Sequence, residues 1–344
     1  MHMADALISP AVGGAMWAAT GALIGVSAKQ LQRKFDDRRV PLMGVAGAFI
    51  FAAQMINFTI PGTGSSGHLG GGMMLAILLG PQAAFLTIAS VLTIQALFFA
   101  DGGLLALGCN MFNLGVFPCF LAYPFLYKPL AGNTPTKGRI MAASLLASIV
   151  GLQLGAFGVV TETMLSGISA LPFRTFVMLM QPIHLAIGIV EGLATAAVVL
   201  FINEARPELF ATPANAADAP RRSLKPVMIG LGLATLLTAG MLSWFASARP
   251  DGLEWAMFRA AGTEGLESPS TGVHASLAAA QSATAILPDY NFKQGESAAK
   301  EGEEAWPAVN AGTSVAGLVG GALMLLIVTG IGAVIRKSAS RAVS

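Results

Sequence analysis

"GGMMLAILLGPQAAFLTIASVLTIQALFFA", residues 71–100, is apolar apart from two glutamines and three hydroxyl side chains. As one helix it would run about 45 Å, well beyond the roughly 30 Å of a hydrocarbon core. Gly80-Pro81 interrupts it, and proline has no N–H to continue a helical ladder. Whether the stretch crosses a membrane once or forms two short helices sets the sidedness of everything after it.

The composition makes a membrane the relevant solvent. Hydrophobic residues are 54% of the 344 and charged residues only 11%, against about a quarter charged in soluble domains. The mean hydropathy is +0.68. Further apolar runs near 11–30, 40–58, 103–126, 140–160, 175–202, 226–246 and 313–335 are helix-like, because barrel strands would alternate apolar with polar residues. The net charge of +2 gives no argument for a nucleic-acid partner. No basic segment precedes the first apolar run, and Pro10 interrupts it, so the mature chain is expected to keep its own N-terminus. Cys109 and Cys119 share one apolar segment; ten helical residues put them about 15 Å apart, too far for a disulfide.

Charge distribution decides the opening question. "KQLQRKFDDRR", residues 29–39, carries five basic residues and reads as cytoplasmic, since such loops collect Lys and Arg. The N-terminus is then external, and so is the loop containing His68. One crossing over 71–100 would place Lys128, Lys137 and Arg139 outside and invert every later cluster; two short helices put them inside with Arg206, Arg221, Arg222, Lys225, Arg336, Lys337 and Arg341. The expectation is an all-α polytopic protein: a seven-helix bundle over 1–203, a polar cytoplasmic linker over 204–225 ("EARPELFATPANAADAPRRS" within it), and a two-span module over 226–344 enclosing an external loop at 247–312. The C-terminus falls in the cytoplasm, and no inverted repeat of the kind found in many secondary transporters is evident.

Two of the four histidines, His2 and His68, fall on the external side. A histidine at position 2 offers three nitrogens in a plane: the Met1 amine, the His2 amide and the His2 Nδ1. His68, in "GTGSSGHLGG" at 62–71, supplies a fourth. A square of nitrogens suits Ni(II) or Cu(II), whereas Zn(II) prefers a tetrahedron. Because the amide proton must leave, binding should weaken in acid. The surrounding glycines permit close approach, and Ser65 and Ser66 are candidates to orient the imidazole. The plainer alternative is an incidental terminal histidine and a loop histidine with no ligand.

The start "MH" with "LISP", the loop around His68, "ALFFADGGLLALGCNMFNLGV" at 96–116 and "HLAIGIVEGLAT" at 184–195 together resemble the CbiM/NikM family, the substrate-specific components of energy-coupling factor transporters for nickel and cobalt. The likeness covers about residues 1–203. The second module, with "PDGLEW" at 250–255, resembles the NikN/CbiN-type accessory component. One departure is Ala6, where the family often has glycine. The resemblance implies capture of Ni(II) or Co(II) as transported substrate by Met1, His2 and His68. It also implies partners, a transmembrane coupling (T) protein and cytoplasmic ABC-type ATPase subunits, in a bacterial plasma or inner membrane. No GxxxxGK[ST] phosphate loop occurs in the chain, so ATP hydrolysis belongs to another subunit.

Other polar residues are open to two readings. His184 and Glu191, seven apart on one helix face, either pair to fix helix packing or line a path beneath the site. Asn110 and Asn113 either hydrogen-bond the ligand histidines or cap and link helices. His274 reads as a solvated loop residue. Gly14, Ala18 and Ala22, with Gly21 and Gly25, have small-xxx-small spacing that suits a partner helix or internal packing. An intramembrane hydrolase using Ser66 and His68 would lack an orienting third group, and an autonomous secondary transporter should carry more carboxylates within its spans than Glu191.

Overall fold

The structure, a computed structural model, describes residues 2–33, 39–206, 223–262, 266, 268–293 and 306–341. Its helices are α1 Pro10–Arg33, α2 Arg39–Gln54, α3 Gly72–Leu79, α4 Pro81–Phe99, α5 Leu107–Ala131, α6 Lys137–Ser166 and α7 Phe173–Ala205, followed by α8 Lys225–Gly240, α9 Gly252–Ala261, α10 Gly272–Thr284 and α11 Ala311–Arg341. Among the described residues the strands form a single hairpin between α2 and α3, with β1 Phe58–Ile60 antiparallel to β2 Ser65–Gly67 in the register Thr59↔Ser66. The all-α class read from the sequence holds. Most of the linker, 207–222, lies outside the described residues, as do Met1 and residues 34–38 of the basic loop.

Six described helices are long and apolar enough to cross a bilayer, and α2 and α8 are shorter apolar helices. Large apolar side chains such as Phe125, Leu165, Met178 and Phe201 stand exposed on the outside of the bundle. Such a surface is at home in lipid, and the protein is a multi-pass membrane protein.

The break at 71–100 falls at Gly80, whose φ of 81° places it outside the helical region, and Pro81 opens α4. Yet α3 has only 8 residues, about 12 Å, and cannot cross alone. The loop before it makes up the difference. Gly70 N–H and Gly71 N–H donate to the Glu191 carboxylate at 2.8 and 3.2 Å, and Glu191 lies near the middle of α7. The hairpin loop therefore descends deep into the bundle before α3 begins. Backbone away from helix is tolerated at that depth because protein surrounds it and satisfies it.

Close approach explains the rest of the bundle. α6 and α7 form an antiparallel pair in which a Cβ at Gly192 would lie 2.7 Å from the Leu145 Cα. Helices α8 and α11 lie on α2, where a Cβ at Gly320 would meet the Phe51 ring at 2.0 Å and one at Gly47 would meet Met324 at 2.3 Å. The middle of α5, Phe112–Tyr127, is wound as a wider π-helix around Pro118 and Pro124, which lack the N–H a regular ladder needs. The stretch 247–312 is not wholly irregular: it contains α9 and α10, while α8 stops at Gly240, short of the expected 246.

Candidate metal centre

The N-terminal segment, with a single 3-10 turn at Asp5–Leu7, is threaded into one end of the bundle as a strap. Asn110 at the start of α5 grips it through the Met3 backbone: Met3 N–H donates to Asn110 Oδ1 at 2.7 Å and Asn110 Nδ2 donates to Met3 O at 3.2 Å. Gly103 N–H also donates to Met3 O, and Asp5 Oδ1 accepts from Ala106 N–H. Any side chain at Gly103 would collide with Asp5, since its Cβ would lie 1.8 Å from Oδ1. Met3, Leu7 and Ile8 are fully buried, so the strap is held by packing as well as by hydrogen bonds.

This threading brings His2 against His68. The rings stack with centroids 5.0 Å apart and planes 16° from parallel. His68 Nδ1 lies 3.1 Å from Leu69 O, which makes Nδ1 the N–H and leaves Nε2 as the nitrogen with a lone pair. Burial, and then the positive charge around it, including His2, push the His68 imidazole down to about 3. It is neutral at physiological pH, the form a metal ligand requires.

A carboxylate faces each imidazole. His2 Nδ1 is 3.0 Å from Asp101 Oδ1, and Asp101 Oδ2 accepts from the Tyr290 hydroxyl. His68 Nε2 is 4.0 Å from Asp251 Oδ2. Burial raises both carboxyls, but it is outweighed, at Asp101 chiefly by the His2 imidazole and at Asp251 chiefly by the positive charge of the chain's N-terminal amine and then by His68, and both are held below the usual carboxylate range. Among the described residues no three His, Cys, Asp or Glu side chains form a metal site. Met1, the source of the terminal amine, lies outside the described residues.

Several expected partners differ. The chelating His2 Nδ1 is taken by Asp101, the acceptor within reach, while Nε2 is buried with no hydrogen-bond partner among the described residues; a chelate through Nδ1 must replace that bond. Asn110 holds Met3 rather than an imidazole, and Asn113 donates to Glu162 Oε2 at 2.7 Å. Ser65 and Ser66 do not orient His68: Ser65 Oγ pairs with Thr63, and Ser66 Oγ donates to Arg249 O at 2.7 Å. His184 and Glu191 have separate partners, Met180 O for His184 Nδ1 and the Gly70 and Gly71 amides for Glu191. Nonetheless His184 lines a small cavity with His68, Gly70, Leu152 and Gly252, and Glu191 lines the next one inward with Asn113 and Ser148. His274 is buried, with Nε2 2.9 Å from Ile8 O, because α10 folds down onto the strap instead of standing in water. Gly14, Ala18, Ala22, Gly21 and Gly25 lie on an exposed face of α1.

Sequence reasoning missed Asp101, Asp251 and Tyr290 as parts of the site. "PDGLEW" was visible as a motif, but no spacing along the chain announces that it meets His68.

Comparison with known proteins places the chain beside metal transport proteins. Residues 2–209 match the family described as "Cobalt uptake substrate-specific transmembrane region" and residues 225–337 match the "PDGLE domain". The chain is 33% identical to the "Fused nickel transport protein NikMN" of Rhodobacter capsulatus over 84% of this chain and 88% of that one. It is 29% identical to the "Cobalt transport protein CbiM" of Geobacter sulfurreducens, covering 70% and 72%. A crystal structure of a truncated transition metal transporter superposes with a TM-score of 0.53 at 32% identity, covering 60% of this chain and 99% of that chain.

Proposed function

The chain belongs to the cobalt-uptake substrate-specific transmembrane family, with a PDGLE domain fused behind it, and from that membership we propose that it captures Ni(II) at the external face for an ATP-driven importer. It is a nickel/cobalt transport component of the CbiM/NikM type and not an enzyme. In this reading the ion is held by the Met1 amine, the His2 amide nitrogen and imidazole, and His68 Nε2. The chain divides into a seven-span metal-binding part over 1–203, a linker over 204–225 and a two-span accessory part over 226–344. A transmembrane coupling protein and ABC-type ATPase subunits supply the energy, and the small-residue face of α1 (Gly14, Ala18, Ala22, Gly21, Gly25) is where the coupling protein docks. His184 and Glu191 line the cavities beneath the ion.

The observation that carries the reading is the stacking of His2 on a buried, neutral His68 at the end of a tightly gripped N-terminal strap. A free histidine pair has no reason to be threaded into a bundle at this cost in chain entropy. Four nitrogens in a plane favour Ni(II), as does the fused nickel relative. Cobalt is the second reading, favoured by relatives named for cobalt.

The test is a titration of the purified chain, its native N-terminus free, with Ni(II) and Co(II), beside His2→Ala, His68→Ala and a one-residue N-terminal extension. One ion per chain is expected, with binding lost in all three variants. Undiminished binding by the extended chain would overturn the terminal chelate. Uptake by cells is expected only when the ATPase subunits are co-expressed.

A further inference from the structure

The C-terminal segment does more than lie beside the bundle: its PDGLE stretch closes the mouth of the histidine site. Ser66 N–H donates to Pro250 O at 2.8 Å and Ser66 Oγ to Arg249 O at 2.7 Å, extending the His68 hairpin onto the incoming chain. Gly252 lets the start of α9 press against α7, where an added Cβ would lie 2.5 Å from Ile183 Cγ2 and 3.4 Å from His184 Cε1. Leu253 is buried behind it. Between them Asp251 caps α9, with Oδ1 accepting from Leu253 N–H and Glu254 N–H, both at 2.8 Å, and Glu254 completing the capping box. The other oxygen, Oδ2, is the one 4.0 Å from His68 Nε2.

Charge makes this placement consequential. A helix N-terminus carries about half a positive charge, so α9 alone would repel a cation held by His68. A dication leaving water also needs negative charge nearby. A carboxylate at the N-cap reverses the sign of that helix end, and a second carboxylate, Asp101, lies beside His2. Tyr290, on the same C-terminal segment, holds Asp101 while sitting in the left-handed region at φ 59°. A non-glycine residue pays for that conformation only when its surroundings demand it.

Taking the site as read above, we propose that Asp251, supplied by the C-terminal segment, is the fixed counter-charge of the divalent cation at His68: a positioning residue that neutralises the ion without joining its nitrogen ligands.

The experiment compares Asp251→Asn, His68→Ala and the wild type in the full chain, with NiCl2 as the probe. Asparagine caps a helix as well as aspartate does, so Asp251→Asn removes the charge and keeps α9. Expected are a metal-free chain that still melts cooperatively, one ion per chain, an unchanged visible band of square-planar nickel, and affinity weakened about 10- to 100-fold. Wild-type affinity in Asp251→Asn would overturn the proposal, and so would a shifted nickel band, which would make Asp251 a ligand. His68→Ala separates the two levels. If it binds nickel normally, the histidine site itself fails; if it loses nickel while Asp251→Asn does not, only the counter-charge fails.

Discussion

At Gly252 a single methyl group has nowhere to go, because Ile183, Ile187 and His184 already occupy its space. Gly252→Ala is therefore expected to cost about 1–3 kcal/mol through overpacking, read as a lowered melting temperature in detergent; an unchanged value would mean that α9 does not dock as described. His68 gives a second expectation at this scale. Its imidazole is pushed down to about 3 from the ordinary 6.5, so between those pH values the unfolded chain binds a proton that the folded chain refuses. The His68 contribution to the stability of the metal-free protein must then fall as pH drops from about 6.5 toward 3. The lowered carboxyls of Asp101 and Asp251 act in a different window: they stabilise above the ordinary carboxylate range and lose that contribution below it. Thermal melts from pH 7 to pH 5 should thus shift more toward lower stability in the wild type than in His68→Gln. Equal slopes in both would remove His68 as the cause. That His2 and His68 were candidates is legible in the sequence from their rarity and their shared side. Their carboxylate partners were not, since Asp101 and Asp251 are ordinary aspartates until folding puts an imidazole beside each.

Among the elements, the hairpin loop and α3 show how a short helix can stand in a deep position. The sequence signals the break at Gly80-Pro81 through proline chemistry alone. It does not signal that α3 is a half-length helix, because that depends on Glu191, far along the chain, reaching the Gly70 and Gly71 amides. Gln54 Nε2 supports the same loop by donating to Gly70 O at 2.8 Å. Glu191→Ala leaves two buried N–H groups without an acceptor, at about 1–3 kcal/mol each. Glu191→Gln keeps one acceptor oxygen and should cost less. Hydrogen exchange at Gly70 and Gly71 reports it: faster exchange in Glu191→Ala is expected, and unchanged protection would show that the carboxylate does not hold the loop. The seven-residue spacing, open to a His184–Glu191 pair or to two residues lining a path, does not reveal their hydrogen-bond partners, Met180 O on the same helix and the Gly70 and Gly71 amides of the hairpin loop, since a helix face offers neighbours from other elements as well as its own.

For the molecule as a whole, the C-terminal segment is stitched to the N-terminal bundle on two sides of the histidine pair. Thr59 Oγ1 donates to Ser247 Oγ at 3.0 Å and Ser247 N–H to Asn57 O at 2.7 Å on one side. On the other, Gln281 Nε2 donates to Ala96 O and Gly102 O. A Thr59→Cys/Ser247→Cys pair is expected to form a disulfide in the intact chain, against a low background because Cys109 and Cys119 are both buried. The locked protein should take up and release Ni(II) more slowly, and a reductant should restore the rate. Loading at the unlocked rate would show that this seam does not gate the ion.

By itself the sequence determined the solvent, the helical class, the location of the break at 80–81 and the two histidines, because hydropathy, proline geometry and the positive-inside bias act locally and are written in consecutive residues. Only the tertiary structure decided that α3 is a half-length helix under a descending loop, that Asn110 grips the strap and that Ser66 and Gly252 seat the PDGLE stretch over the site. Those outcomes depend on contacts between residues far apart in the chain, at distances of a few ångströms, where one methyl group or one buried carboxylate settles the arrangement. No one-dimensional pattern encodes such distances, and they become definite only once the helices have packed.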